Sequence, residues 1–127
     1  MLVKIDTKEK FSVITPEINE ITANMSDEFR KSLTNQLTNP IPHVILNLQT
    51  ISNIEDSVLM MLSEVQEIFY NENNSFVICG LNKSILNKLE ELELLDTMNI
   101  TPSESEAWDI VQMEEIEREL MNGDDEN

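Results

Sequence analysis

Basic residues are scarce in this chain. Eight Lys and Arg stand against 25 Asp and Glu, for a formal net charge of −17. Phosphate contacts need cationic side chains, so this balance argues against nucleic acid and anionic membranes as partners and permits a basic protein. Cysteine is almost absent. The single Cys79 forms no internal disulfide, and its place in the apolar run Phe76-Val77-Ile78-Cys79 predicts a buried, inert thiol in a reducing cytoplasm. Two glycines, Gly80 and Gly123, leave no material for a glycine-rich phosphate loop. One histidine, His43, with no Cys/His cluster beside it, makes a metal site improbable. No Ser/His/Asp arrangement is visible. No apolar run reaches the ~18 residues of a membrane span, and Met1 to Asp6 lacks the apolar region of a signal peptide. The expectation is a cytoplasmic, non-catalytic protein with no cofactor, no metal and no membrane insertion.

What is present is patterned for a single α/β domain, since 127 residues can bury a real core. Leu2 to Asp6 and Phe11 to Thr15 read as a strand pair, with Phe11 and Val13 on one face and Ile14 on the other; Pro16 closes the second strand. Asn24 is placed to cap a helix reaching about Thr38, with Met25, Phe29, Leu33 and Leu37 at i, i+4 spacing. Val44 to Leu48 is a strand, and a helix runs from near Ser57 to about Tyr70. Ser75 to Cys79 is the next strand, broken by Gly80. Lys83 to about Glu93 is a helix with Ile85, Leu86 and Leu89 inward. Met98 to Thr101 is a short edge strand. Pro102-Ser103 begins the last helix, with Ser103 and Glu106 at capping-box spacing. Strands separated by helices predict a mainly parallel, mixed sheet of four to five strands with about four helices.

The segment Val44 to Leu59, VILNLQTISNIEDSVL, concentrates the functional signal. A strand leads through a polar connection and a short apolar rise into Glu55-Asp56-Ser57 at the head of a helix. Such a start carries free N–H groups and partial positive charge, so Asp56 or Ser57 is expected to cap it. Beyond this cap, Val58, Met61, Leu62, Val65, Ile68 and Phe69 form one apolar stripe. At ~100° per residue, Met60 points nearly opposite, on a face with Asp56, Ser63 and Glu67. An apolar side chain beside acidic groups on a solvent face is a candidate contact point.

Three stretches in order resemble the STAS domain, the fold of the bacterial anti-sigma-factor antagonists. Glu20 to Phe29 is similar to the start of the family's first helix, E-L-D-A-x-x-A-x-x-L. Val44 to Leu59 aligns without a gap to V-V-L-D-L-S-x-V-x-F-I-D-S-S-G-L. Phe76 to Val111 is similar to the closing segment, with Gly80-Leu81 and Glu106-Ala107 in place. The resemblance spans about residues 2 to 111. It implies a protein-binding module whose partner, an anti-sigma factor and kinase, phosphorylates a serine before the second helix and is released by the phosphate.

Carried over in register, the family aspartate falls on Glu55 and the phosphorylated serine on Asp56. The next Ser/Thr falls on Ser57, the glycine on Val58, and the first-motif aspartate on Thr22. A carboxylate at the switch position carries one negative charge, against roughly −1.5 to −2 for phosphoserine. The chain is therefore expected either to be locked in a phosphoserine-like state or to have lost the switch, with Ser57 as an alternative phosphoacceptor. Thr22, Glu55, Asp56, Ser57, Met60, Ser63 and Glu67 are the expected partner-binding residues.

Two rival readings stand beside this one: a scaffold or regulatory subunit of another complex such as transport machinery, and a phosphotransfer receiver, which lacks its acidic pair and strand-end lysine here. Residues 1–111 form the expected STAS domain. Residues 112–127 form an acidic helical extension with a frayed tail from Asn122. In it Met113, Ile116 and Leu120 lie opposite Ala107, Trp108 and Val111. Either the helix bends at Gln112, or it offers a second apolar stripe for docking or homodimerisation.

Overall fold

The computed structural model describes residues 1–125, with side chains through Met121. Strands β1 (Val3–Thr7), β2 (Ser12–Pro16), β4 (Val44–Asn47), β6 (Phe76–Cys79) and β7 (Ile100–Thr101) form one sheet in the order β1-β2-β4-β6-β7. The β1–β2 hairpin is antiparallel and the other pairs are parallel, giving the expected mixed sheet. Two further strands, β3 (Glu20–Ile21) and β5 (Asn53–Ile54), pair with each other in parallel, apart from the main sheet. Four α-helices connect or follow them: α1 (Ser26–Thr34), α2 (Asp56–Asn71), α3 (Lys83–Glu91) and α4 (Glu104–Asp125). The frayed tail expected from Asn122 is instead helical through Asp125, and the last two residues lie outside the described ones.

Alternation along the central strands explains the layering. On β4, Val44 and Leu46 join the larger core with Phe29 and Leu33 of α1, Leu62 and Phe69 of α2, and Ile85 and Leu89 of α3. Ile45 points to the other face, where it meets Phe11, Val13, Val77, Cys79 and, from α4, Ala107 and Val111. Burial of both faces matches the apolar runs Val44-Ile45-Leu46 of β4 and Phe76-Val77-Ile78-Cys79 of β6, as expected for interior parallel strands. Cys79 is buried as predicted, and burial pushes its thiol up to about 11. That keeps it from reacting as a thiolate at neutral pH.

Three local expectations need correction. Asn24 does not cap α1: it lies in a 3₁₀ turn, Ala23–Met25, and Met25 takes the cap position without a side-chain bond. The long first helix likewise ends at Thr34 and tightens into a 3₁₀ turn over Asn35–Thr38. The third concerns α2, whose cap position belongs to Glu55, so neither Asp56 nor Ser57 is the cap. Ser103 does cap α4, with its Oγ accepting from the Glu106 N–H at 3.4 Å and its hydroxyl donating to Glu106 Oε1 at 3.0 Å.

Gly80 ends β6 at φ +80°, a left-handed conformation, and a Cβ there would lie 2.9 Å from Gln49 Cβ. Gly80→Ala is therefore expected to cost about 2 kcal/mol or more, read from the urea midpoint. His43 offers a second check. Its Nδ1 accepts from the Ser75 N–H at 3.0 Å, and Nε2 faces Glu115 at 3.6 Å. Burial holds its pKa below the ordinary 6.5, with the Glu115 carboxylate pulling the other way. The unfolded chain then takes up this proton first as pH falls, so the His43 contribution to stability is lost as pH drops through 6.5 towards the folded value. NMR titration of this lone imidazole is expected to report a midpoint below 6.5.

Candidate functional site

The site is built where two minimal strands meet the start of α2. In the β3–β5 ribbon, Glu20 lies opposite Asn53 and Ile21 opposite Ile54. The Ser52 N–H donates to the Asn19 carbonyl at 2.7 Å, and the Glu55 N–H donates to the Ile21 carbonyl at 3.0 Å. Glu55 thus leaves the ribbon with extended backbone, φ −67° and ψ 150°. That conformation turns its carboxylate across the ribbon, where Oε2 accepts from the Ala23 N–H. The acidic group that would cap α2 is spent on the entrance to the first helix, one residue beyond the half-buried Thr22. The two segments aligned with separate family motifs, Glu20 to Phe29 and Val44 to Leu59, are therefore joined by direct hydrogen bonds.

Asp56 occupies the first position of α2, where the helix dipole favours negative charge. It is not left alone. Lys88 reaches over from α3, its Nζ lying 3.1 Å from Asp56 Oδ1 and donating to the Ile54 carbonyl at 2.5 Å. Asn82, at the cap of α3, accepts from the Ile85 N–H and donates to the Ser52 carbonyl at 3.0 Å. Helix α3 thereby clamps the connection that leads into α2. Neither contact was visible in the sequence, because both bridge ~30 residues and no local pattern marks Lys88 or Asn82 as a partner.

The remaining predicted residues separate by position. Ser57 is exposed in the first turn. Met60 is 54% exposed, while Val58, Met61, Leu62, Val65 and Phe69 are buried on the opposite side, as the helical period required. Ile68 is only half-buried, and Leu59 and Gln66 join the buried set. Ser63 and Glu67 lie on the same outer face but open onto a groove of about 480 Å³ with Tyr70, Asp96, Thr97 and Glu114. Among the described residues no three His, Cys, Asp or Glu side chains gather to hold a metal ion. No helix among them is long and apolar enough to cross a membrane.

The STAS domain model matches residues 3–107. The chain belongs to the STAS-domain family. No curated protein matches it in sequence. Its fold is similar to that of a Thermotoga maritima protein named as a candidate anti-sigma factor antagonist, with a TM-score of 0.78 and 16% identity over 87% of this chain and 94% of that one. An anti-sigma factor antagonist from Mycobacterium paratuberculosis gives 0.75 and 14%, covering 87% and 93%. The murine anion transporter Slc26a9 gives 0.68 and 13%, covering 82% of this chain but 18% of the transporter. At these identities the likeness carries the STAS fold alone. The family match stops at Ala107, so most of α4 extends past it.

The two bonds of Lys88 are expected to differ in weight. The Asp56 carboxylate is exposed, so Asp56→Asn should cost less than about 1 kcal/mol. Lys88→Met also removes the donor to a carbonyl beside the buried Ile54 and should cost about 1.5 kcal/mol or more. Urea denaturation of both variants at low and high salt checks the order, and only the Asp56 share should fade with salt.

Proposed function

We propose that this STAS domain is a non-catalytic binding module of the anti-sigma-factor-antagonist kind, acting in the cytoplasm. Its contact face runs along α2 through Asp56, Ser57 and Met60 to Ser63 and Glu67, with Thr22 and Glu55 holding its base. A basic, ATPase-type anti-sigma factor is the partner class that fits the acidic chain. The observation that carries this reading is the exposed Met60 standing one turn above Asp56 on a helix whose opposite side packs Val58, Met61, Leu62, Val65 and Phe69 into the core.

The state of the switch position follows from charge. Phosphoserine would place roughly −1.5 to −2 there. Asp56 places −1, and the Lys88 ammonium at 3.1 Å offsets it. With Lys88 counted in every case, the local sum is about 0 for Asp56, +1 for an unphosphorylated serine and about −0.5 to −1 for phosphoserine, so Asp56 holds a fixed charge between the two. We therefore read the module as one without a removable charge, its binding independent of phosphorylation at this position.

The test begins with capture of partners from native cytoplasm, followed by calorimetric titration of the purified partner. An anti-sigma factor is expected, with Met60→Glu lowering affinity by about tenfold or more. Intact mass after incubation with the partner and ATP should show no phosphate adduct on Ser57. Undiminished affinity of Met60→Glu would remove the α2 face. The likeness to the murine transporter domain favours a second reading, a scaffold of transport machinery, and capture of a transporter in place of an anti-sigma factor selects it.

A further inference from the structure

Helix α4 carries an apolar surface that the α2 face does not use. Its inner side seats Ala107 and Val111 against the sheet, both fully buried. On its outer side Met113, Ile116 and Leu120 are 56%, 56% and 65% exposed at i, i+3, i+7 spacing. The helix runs unbroken through Gln112, from Glu104 to Asp125. It is also firmly mounted over this stretch. Asn99 donates to Glu114 at 3.1 Å, His43 faces Glu115 at 3.6 Å, and Arg118 donates to Ser75 Oγ at 2.7 Å.

Charge decides what can cover the stripe. At ~100° per residue, the exposed Glu106, Asp109, Glu117 and Glu119 border or interrupt it. Arg118, the basic residue of α4, is turned inward to Ser75 and Glu114. Lys10 of the β1–β2 turn lines a small hollow with Gln112, Glu115, Ile116 and Glu119. A second copy of this chain would meet the stripe with the same patch. That contact sets two rows of carboxylates against each other, so the homodimer expected as one use of the extension is opposed by its own rim.

We propose that the outer face of α4 docks a cationic amphipathic helix from another protein. Its apolar side packs on Met113, Ile116 and Leu120, and its Lys or Arg side chains meet Glu106, Asp109, Glu117 and Glu119. The site is independent of the α2 face, and all of it but Glu106 lies beyond residue 107, where the family match ends.

Three designed helical peptides test this on the full chain by fluorescence anisotropy. One carries a Leu stripe flanked by Lys, one the same stripe flanked by Glu, and one the same Lys content with the stripe replaced by Ser. The first should bind, and the other two should bind at least about tenfold more weakly. Ile116→Glu should cost the first peptide at least about tenfold, whereas Met60→Glu should leave its affinity unchanged. Light scattering should return a monomer mass. Equal binding of the Ser-stripe peptide, undiminished affinity in Ile116→Glu, or a dimer that Ile116→Glu dissociates would each overturn the proposal.

Discussion

Strand β4 is the constraint on which the rest of this domain depends. Val44, Ile45 and Leu46 have no exposed surface, although they point alternately to opposite sides. The strand is held on both edges, by β2 and by β6 in parallel. It therefore divides the two cores and fixes where the chain emerges on the far side, towards the Gln49–Ser52 connection. Helices α1, α2 and α3 cover one face and α4 the other. Phe69 and Phe76, with ring centroids 5.1 Å apart, tie α2 back to the sheet beside it.

The site is a consequence of that exit. Coming off β4, the chain pairs briefly with β3, is clamped by Asn82 and Lys88, and turns into α2 with Asp56 outward. None of these contacts is individually strong. The Asp56–Lys88 pair is solvent-accessible, and such pairs contribute little to stability. Their effect is geometric. Three separate parts of the chain converge on the first turn of α2, so its outer face is presented from a rigid base. A surface of this kind binds without first ordering itself, which lowers the entropic cost of association.

The main sheet and all four helices were legible because their apolar periods are strong. Ile14 against Phe11 and Val13, the stripe of α2 and the capping pair of Ser103 and Glu106 all appear where spacing alone put them. The ribbon of β3 and β5 was not legible. Two residues per strand give no alternation to read, and their pairing joins positions 33 apart, as in Glu20 opposite Asn53. That omission misassigned the cap of α2: without the ribbon there is no reason for Glu55 to turn away from its own helix. Lys88 was missed for a related reason. On α3 it reads as one more polar residue on a solvated side, and only the fold brings it over Asp56. The identities of the outward residues on α2 were predictable; their electrostatic setting was not.

Trp108 is the sole tryptophan of the chain. It sits edge-on to Phe11 with ring centroids 5.0 Å apart, and its indole N–H donates to Glu104 at 3.3 Å. The indole thus bridges the last helix and the hairpin on the side of the sheet away from α2. Its emission is therefore a built-in optical reporter for the seating of α4 against the hairpin.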